Sequence, residues 1–370
     1  MEIKRLLGAL LGLVLLAAVI AISIFSTQEL SEIKAEAVQP TPTPTYGEQG
    51  LPYGMQLDTA PYLIEDGYAF FKDRIVPLYK RNNETLLTYA DTTARFLASL
   101  PQNVRSYIML IPTRAAFEES LSAYTDDENA AINDIGALMP AGVTCVNLIK
   151  TLAAHKSEYI YFRTDDSWTA QAARYAALAY ANKAGLELPQ LDEYYYYNIL
   201  ESHKGILYEI NGHEIPPKLY DYVAFYTPIY GKNLQTVTLR HAAGQYETHD
   251  SPAVALSRRS KNIFIAPYFS HSILHGDKNN GKTVVIFGSS EAKLFAPWLT
   301  PVYENVILIS AARYQDGVEG FRKLFEDYNV TDFIFMQSIT SPNDSPGSKA
   351  DKLILNPDNT SIPQQGGDTQ

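Results

Sequence analysis

The sequence predicts an α/β domain with a mostly parallel sheet, preceded by one membrane-spanning helix. Three features predict it. Apolar runs of strand length alternate with helical segments through most of the chain between residues 83 and 340. A tyrosine-rich stretch with two-residue alternation interrupts that rhythm between about residues 194 and 260. An unbroken apolar run opens the chain. Apolar strands separated by helices imply a sheet covered on both faces, and parallel strands buried that way read as continuous apolar runs.

Residues 1–5 form a cationic stub in which Lys4 and Arg5 precede the apolar run Leu6–Phe25, while Glu29, Glu32 and Glu36 follow it. A helix of about 20 residues, rising about 1.5 Å per residue, crosses a hydrocarbon core about 30 Å thick. The cations keep the N-terminus cytoplasmic, which places the domain on the extracytoplasmic side of the cell membrane as a single-pass protein. A cleaved signal peptide is the competing reading, because Ala35-Glu36-Ala37 resembles a small-residue cleavage site, although it lies well past the run. Residues 26–52 read as a linker, with Pro40-Thr-Pro42-Thr-Pro44 favouring an extended, semi-rigid spacer. The domain is assigned to residues 53–340, and residues 341–370, rich in Ser, Pro, Asn, Asp and Gly, read as a disordered tail.

Within the domain, Asn83 is positioned to cap a helix running to about Leu100, and Val104–Ile111 reads as a buried strand ending at Pro112. Asp126–Met139 is helical by pattern, Val143–Leu148 a short strand and Tyr159–Phe162 another. Trp168–Ala184 is an alanine-rich helix closed by Gly185. Segments such as Asp221–Phe225 and Thr236–Arg240 alternate, so residues 194–260 read as a β-rich insertion between two halves of the α/β core. The strand Thr283–Phe287 then leads into Gly288-Ser289-Ser290 and a helix ended by Pro297. Val306–Ile309, the helix Val318–Tyr328 and the strand Phe333–Met336 complete the pattern.

A net charge of -11 and a pI near 5.2, with no offsetting basic patch, argue against nucleic acid as a partner. Cys145 is the single cysteine, so an internal disulfide and a cysteine-rich zinc site are excluded; its apolar neighbours suit a buried small side chain. No His/Asp cluster has metal-ligand spacing, and neither a metal nor an organic cofactor is expected.

Two segments can carry chemistry. Arg163-Thr164-Asp165-Asp166-Ser167-Trp168 lies where a strand gives way to a helix, the place where open α/β sheets bind ligands. Asp165, Asp166 or Ser167 could equally be a helix cap. Gly288-Ser289-Ser290 also follows a strand, and a sharp turn there would expose a serine hydroxyl and amide donors, as a nucleophile beside an oxyanion site requires. It too could simply start a helix. The tyrosines Tyr194–Tyr197, Tyr220, Tyr222 and Tyr226 either offer faces to sugar rings or cover the sheet.

Together, these segments resemble the bacterial DHHW protein family, related to the SGNH-hydrolase-like proteins of alginate O-acetylation. The resemblance rests on Tyr159-Ile-Tyr-Phe-Arg163-Thr164-Asp165-Asp166-Ser167-Trp168-Thr169, on His203-Lys204-Gly205-Ile-Leu207-Tyr208, and on Gly281-Lys282 leading the strand into Ser289. Leu294-Phe295-Ala-Pro297-Trp-Leu299 and Arg313-Tyr314 extend it, so it runs from about Gly67 to Gln337. It implies a three-layer SGNH-hydrolase-like sandwich and a triad in which a histidine takes the serine proton while an aspartate orients the histidine.

Carried onto this chain, the resemblance makes Asp165 and Ser289 the catalytic candidates, with Arg163, Trp168 and Ser290 supporting. The family's histidine position is Ser167, the first histidine of its motif is Asp166, and the aspartate before the nucleophile is Gly288. A serine hydroxyl is a very poor base near neutral pH, so Ser289 lacks its activator. His271 and His275, shortly before the Ser289 strand, are the candidate replacements, with His155 and His203 further away in sequence. Two functions stay open. One is a catalytically degenerate protein that binds or scaffolds envelope glycan modification, with a glycan or a glycan-modifying membrane protein as partner. The other is an active O-acyl esterase or acetyltransferase on a cell-surface polysaccharide.

Overall fold

The computed structural model describes residues 57–228, 235–242, 245–252, 271–276, 278–312, 314 and 316–344. The expected membrane helix and linker, and the tail beyond residue 344, lie outside them. Among the described residues, no helix is long and apolar enough to cross a membrane.

A small antiparallel meander comes first: β1 (Leu63–Glu65), β2 (Tyr68–Phe70) and β3 (Ile75–Pro77). Asp66 and Gly67, with φ of 49° and 83°, make the two-residue turn between β1 and β2, because a hairpin this tight needs positive φ at both central positions.

Helix α1 (Asn83–Ala98) follows, capped by Asn82 rather than Asn83: the Asn82 side chain accepts from the amides of Glu84 and Thr85. Strand β4 (Arg105–Ile111), helix α2 (Glu128–Ala137) with its Asp127 cap, strand β5 (Val143–Cys145) and helix α3 (Ile149–Ala153) come next. Helix α4 (Ala170–Ala184) ends at Gly185, whose φ of 67° suits glycine at a C-cap. The chain continues through β6 (Tyr194–His203), β7 (Glu209–Ile210), β8 (His213–Glu214), β9 (Asp221–Pro228), β10 (Gln235–Ala242), β11 (Gln245–Pro252) and β12 (His271–His275). It closes with β13 (Thr283–Gly288), α5 (Ala292–Phe295), β14 (Asn305–Ser310), α6 (Gly317–Asp327), β15 (Val330–Ser338) and α7 (Ser341–Asp344).

The main sheet has the order β11-β10-β12-β14-β13-β15-β4-β5. Strands β14, β13, β15, β4 and β5 run parallel, and β12, β10 and β11 extend them antiparallel. Along β13, alternate residues enter opposite cores. Val284 and Ile286 pack with Trp168, Ala176, Tyr180 and Phe295 on one face; Val285 and Phe287 pack with Leu86, Phe96, Ile132 and Phe321 on the other. The result is a mixed α/β architecture of three layers, with every residue of β13 buried.

The structure corrects two expectations. Tyr159–Phe162 is not a strand and contributes only a single bridge, Tyr161 to Trp168. Ile160 and Tyr161 are buried in the core with Trp168, and Tyr159 and Phe162 pack with Val223. The tyrosine-rich stretch is β-rich: β6 and β9 pair with each other, while β10 and β11 join the main sheet. The expected tail starts in order, because Asn343 of α7 donates to the Lys80 carbonyl and accepts from Thr85. Cys145 is half-buried against Gly136, and burial pushes its thiol pKa up.

At the carboxyl end of β4, the Glu128 side chain, 2% exposed, accepts from the Thr113 amide at 2.8 Å and from the Thr113 hydroxyl. Burial pushes its pKa up from 4.5 to about 7. Because the folded value exceeds the unfolded one, the stabilising contribution is fully present below the unfolded value and is lost as pH rises through about 7. A Glu128→Gln chain keeps an acceptor for the Thr113 amide and removes the buried charge. It is expected to be more stable than the parent at pH 8 by about 1–3 kcal/mol, with no such gain at pH 5, in urea titrations.

Candidate functional site

The candidate site lies beyond the carboxyl ends of β13 and β4. After α3 the chain runs outward through Tyr159–Phe162, all at most 5% exposed, turns at residues 163–167 and returns at Trp168. Two backbone bonds close the loop: Phe162 N–H to Ser167 O at 3.2 Å and Thr169 N–H to Ile160 O at 3.0 Å. Thr169 caps α4 through the Ala172 amide, and its hydroxyl donates to Tyr159 O. Neither acid nor Ser167 therefore caps the helix; all three stand in the loop, free for another role.

A buried carboxylate fixes that loop. Asp221, the first residue of β9 and 0% exposed, accepts from the Arg163 amide at 2.8 Å, the Thr164 amide at 2.8 Å, the Tyr159 hydroxyl and the Thr164 hydroxyl. The Arg163 guanidinium lies 3.7 Å from it and donates to the carbonyls of Leu219 and Tyr220. Arg163 is thus committed to structure at 1% exposure.

A second brace comes from the chain after β6. Gly205 N–H donates to the Thr164 hydroxyl, Leu207 N–H to Thr164 O and Ile206 N–H to the Asp165 carboxylate, at 3.0, 2.8 and 3.2 Å. A Cβ on Gly205 would sit 2.1 Å from Thr164 O and 2.4 Å from the Asp165 Cβ, so only glycine permits this approach.

Asp165 also accepts from the Ser167 amide, and its other oxygen is 3.9 Å from His203 Nε2. Burial alone would raise the Asp165 pKa, but His203, Asp166 and the two amides together hold it below the ordinary aspartate value. The opposite holds for Asp166, pushed up to about 7 by crowding, by the carboxyl of Asp165 and by the charge of Glu291. Asp166 is exposed, so the neighbouring carboxylates are the firmer cause. The Ser167 hydroxyl turns onto its own chain, donating to Trp168 O at 3.3 Å.

The second segment meets the first through Trp168. Its ring is fully buried, and its indole N–H donates to Glu291 O at 3.0 Å. Gly288 ends β13 against α5: a Cβ there would lie 2.3 Å from the Ala292 Cβ, which excludes an aspartate before Ser289 without a shift of α5. The Ser289 N–H is committed to Met336 O at 3.0 Å, and its Oγ is buried with no hydrogen-bond partner among the described residues. The expected exposed hydroxyl and open amide at this turn are thus absent. Ser290, exposed, donates to the Glu291 carboxylate.

The candidate bases lie elsewhere. His275 pairs with Asn305 at the opposite end of the sheet, in register with Thr283, about 17 Å from Gly288 at about 3.3 Å per residue. His271 is at the correct edge, in register with Ile309 and Phe287, but two strands from β13, about 10 Å at sheet spacing. His155 bonds Glu158 and stacks on Tyr175. Among the named histidines whose side chains are described, only His203 adjoins the loop. Of the described tyrosines, Tyr194 and Tyr226 lie against Trp298, and Tyr222 stacks on Tyr159. Among the described residues, no group of three His, Cys, Asp or Glu could hold a metal ion.

Asp221, Gly205 and Glu291 were not singled out in sequence as site residues. A local signal existed only for Gly205, within the His203–Tyr208 segment.

A family model described as DHHW protein matches residues 82–309. Among solved structures, a DHHW family protein from Eubacterium siraeum is similar at 20% identity and a TM-score of 0.60, covering 79% of this chain and 98% of its own. PatB1 of Bacillus cereus, solved with a sulfonyl adduct, is similar at 16% identity and a TM-score of 0.60, covering 76% and 97%. No curated protein matches.

Gly205→Ala forces its methyl into the Thr164–Asp165 backbone. It is expected to lower stability by about 1–3 kcal/mol in urea titration, the range for overpacking a close contact. A change below about 0.5 kcal/mol would mean that the brace yields freely.

Proposed function

The chain belongs to the DHHW protein family, and from that premise we propose that it is a catalytically degenerate SGNH-hydrolase-like protein of the cell envelope. It binds or scaffolds glycan O-acetylation at the outer face of the cell membrane, to which its N-terminal apolar run anchors it. The observation that carries the reading is the Ser289 hydroxyl, buried with no hydrogen-bond partner among the described residues.

An acyl-transferring serine needs a base within hydrogen-bond reach to take its proton and amide donors for the oxyanion that follows. Ser167 occupies the family's histidine position and directs its hydroxyl to Trp168 O, so it offers no base. The Ser289 amide, a natural oxyanion donor, is bonded to Met336 O. The Asp165 pKa is held below the ordinary aspartate value, but no described imidazole bonds the Ser289 hydroxyl. What remains is a braced polar loop beside a buried hydroxyl, which suits binding better than acyl transfer. The lost base costs a triad most of its rate.

One observation favours the active alternative: His203 Nε2 lies 3.9 Å from the Asp165 carboxylate, so the aspartate still has an imidazole neighbour. An esterase or acetyltransferase acting on a cell-surface polysaccharide would require that ring, or His271, to reach Ser289.

Hydrolysis of p-nitrophenyl acetate separates the readings. The degenerate reading predicts equal rates for the purified protein and Ser289→Ala, within about twofold. Serine-dependent turnover contradicts it, and its loss in His203→Gln or His271→Gln would then identify the base. Ser167→His alone is expected to leave the rate at background, because Gly288 and the Ser289 amide also depart from the catalytic arrangement; strong rescue would show that the imidazole was the sole deficiency.

A further inference from the structure

The loop at residues 163–165 has no sheet ladder to hold it, since Tyr159–Phe162 makes only the bridge at Tyr161. Its amides must find other acceptors, and both nearest ones find Asp221. Each carboxylate oxygen is used twice: Oδ1 accepts from the Arg163 amide and the Tyr159 hydroxyl, Oδ2 from the Thr164 amide and hydroxyl. The Thr164 hydroxyl in turn accepts from Gly205 N–H, so the second brace hangs from the same carboxylate. Asp221 bonds Tyr159, Arg163 and Thr164, and so acts on Asp165 only through the loop.

We infer that Asp221 is the positioning residue of this site: through the Arg163 and Thr164 amides it sets where Asp165 and Trp168 stand relative to the Ser289 turn. The inference goes beyond the proposed function and holds whether the site binds or catalyses. Asparagine is a poor substitute. Its NH₂ would face a backbone N–H at whichever oxygen it replaced, and Arg163 would lose its buried counter-charge. The consequence is local, because Asp221 supports the loop, whereas the two cores meet on β13.

The chain's two tryptophans make this testable in the full chain. With Trp298→Phe, Trp168 reports on the loop; with Trp168→Phe, Trp298 reports on the core beside α5. Asp221→Asn is expected to red-shift Trp168 emission and raise its acrylamide quenching roughly twofold or more, as local opening would, while Trp298 emission is unchanged. Unchanged Trp168 emission and quenching would overturn the inference. Equal changes at both reporters would also overturn it, making Asp221 a general determinant of folding. If Asp221→Asn does not accumulate folded, Thr164→Val decides by the same criteria, since it removes the hydroxyl that joins Asp221 to Gly205 and leaves the carboxylate in place. The readout is optical, so it does not depend on whether Ser289 reacts.

Discussion

One buried carboxylate, Asp221, determines the shape of the site. Burying an ionised group costs several kcal/mol unless its lone pairs are satisfied and an opposite charge is near, and removing one partner of such a set costs about 3–5 kcal/mol. Asp221 meets both conditions with four donors and the Arg163 guanidinium. The loop cannot move without orphaning those donors. Asp165 is placed by that constraint, Gly205 closes on it, and Trp168 carries the loop to Glu291 at the Ser289 turn.

On the proposed reading, a braced site coexists with missing chemistry. The residues that brace the loop are present and satisfied, whereas the two positions that the family resemblance links to activation of a nucleophile hold Ser167 and Gly288. Ser167 folds its hydroxyl back onto Trp168 O, and Gly288 lets α5 approach β13 so closely that no side chain fits there. A binding cleft needs the first set of features; acyl transfer needs both.

The central parallel strands are legible because they are buried on both faces and so are largely apolar, as Val284–Phe287 and Phe333–Met336 show. Tyr159–Phe162 is also apolar and buried but is no strand: Ile160 and Tyr161 enter the core beside Trp168, and Tyr159 and Phe162 pack with Val223, which a local pattern cannot separate from a ladder. The hairpin at Asp66-Gly67 carries a local turn signal, an Asp-Gly pair at the two positive-φ positions. The segments holding Asp165 and Ser289 stood out locally where strands give way to helices, and the family resemblance supplied their expected roles. Asp221 was not legible as a site residue, since its partners lie 57 to 62 positions away and nothing local marks it. The joining of β10 and β11 to the main sheet is likewise a long-range pairing.

The central claim is that Ser289 is not an activated nucleophile. Exposure of the purified protein to phenylmethylsulfonyl fluoride, read by intact mass, tests it most directly, because sulfonylation needs an activated serine and no particular acyl substrate. The account predicts no mass gain at Ser289. A gain of one sulfonyl group that disappears in Ser289→Ala would contradict it.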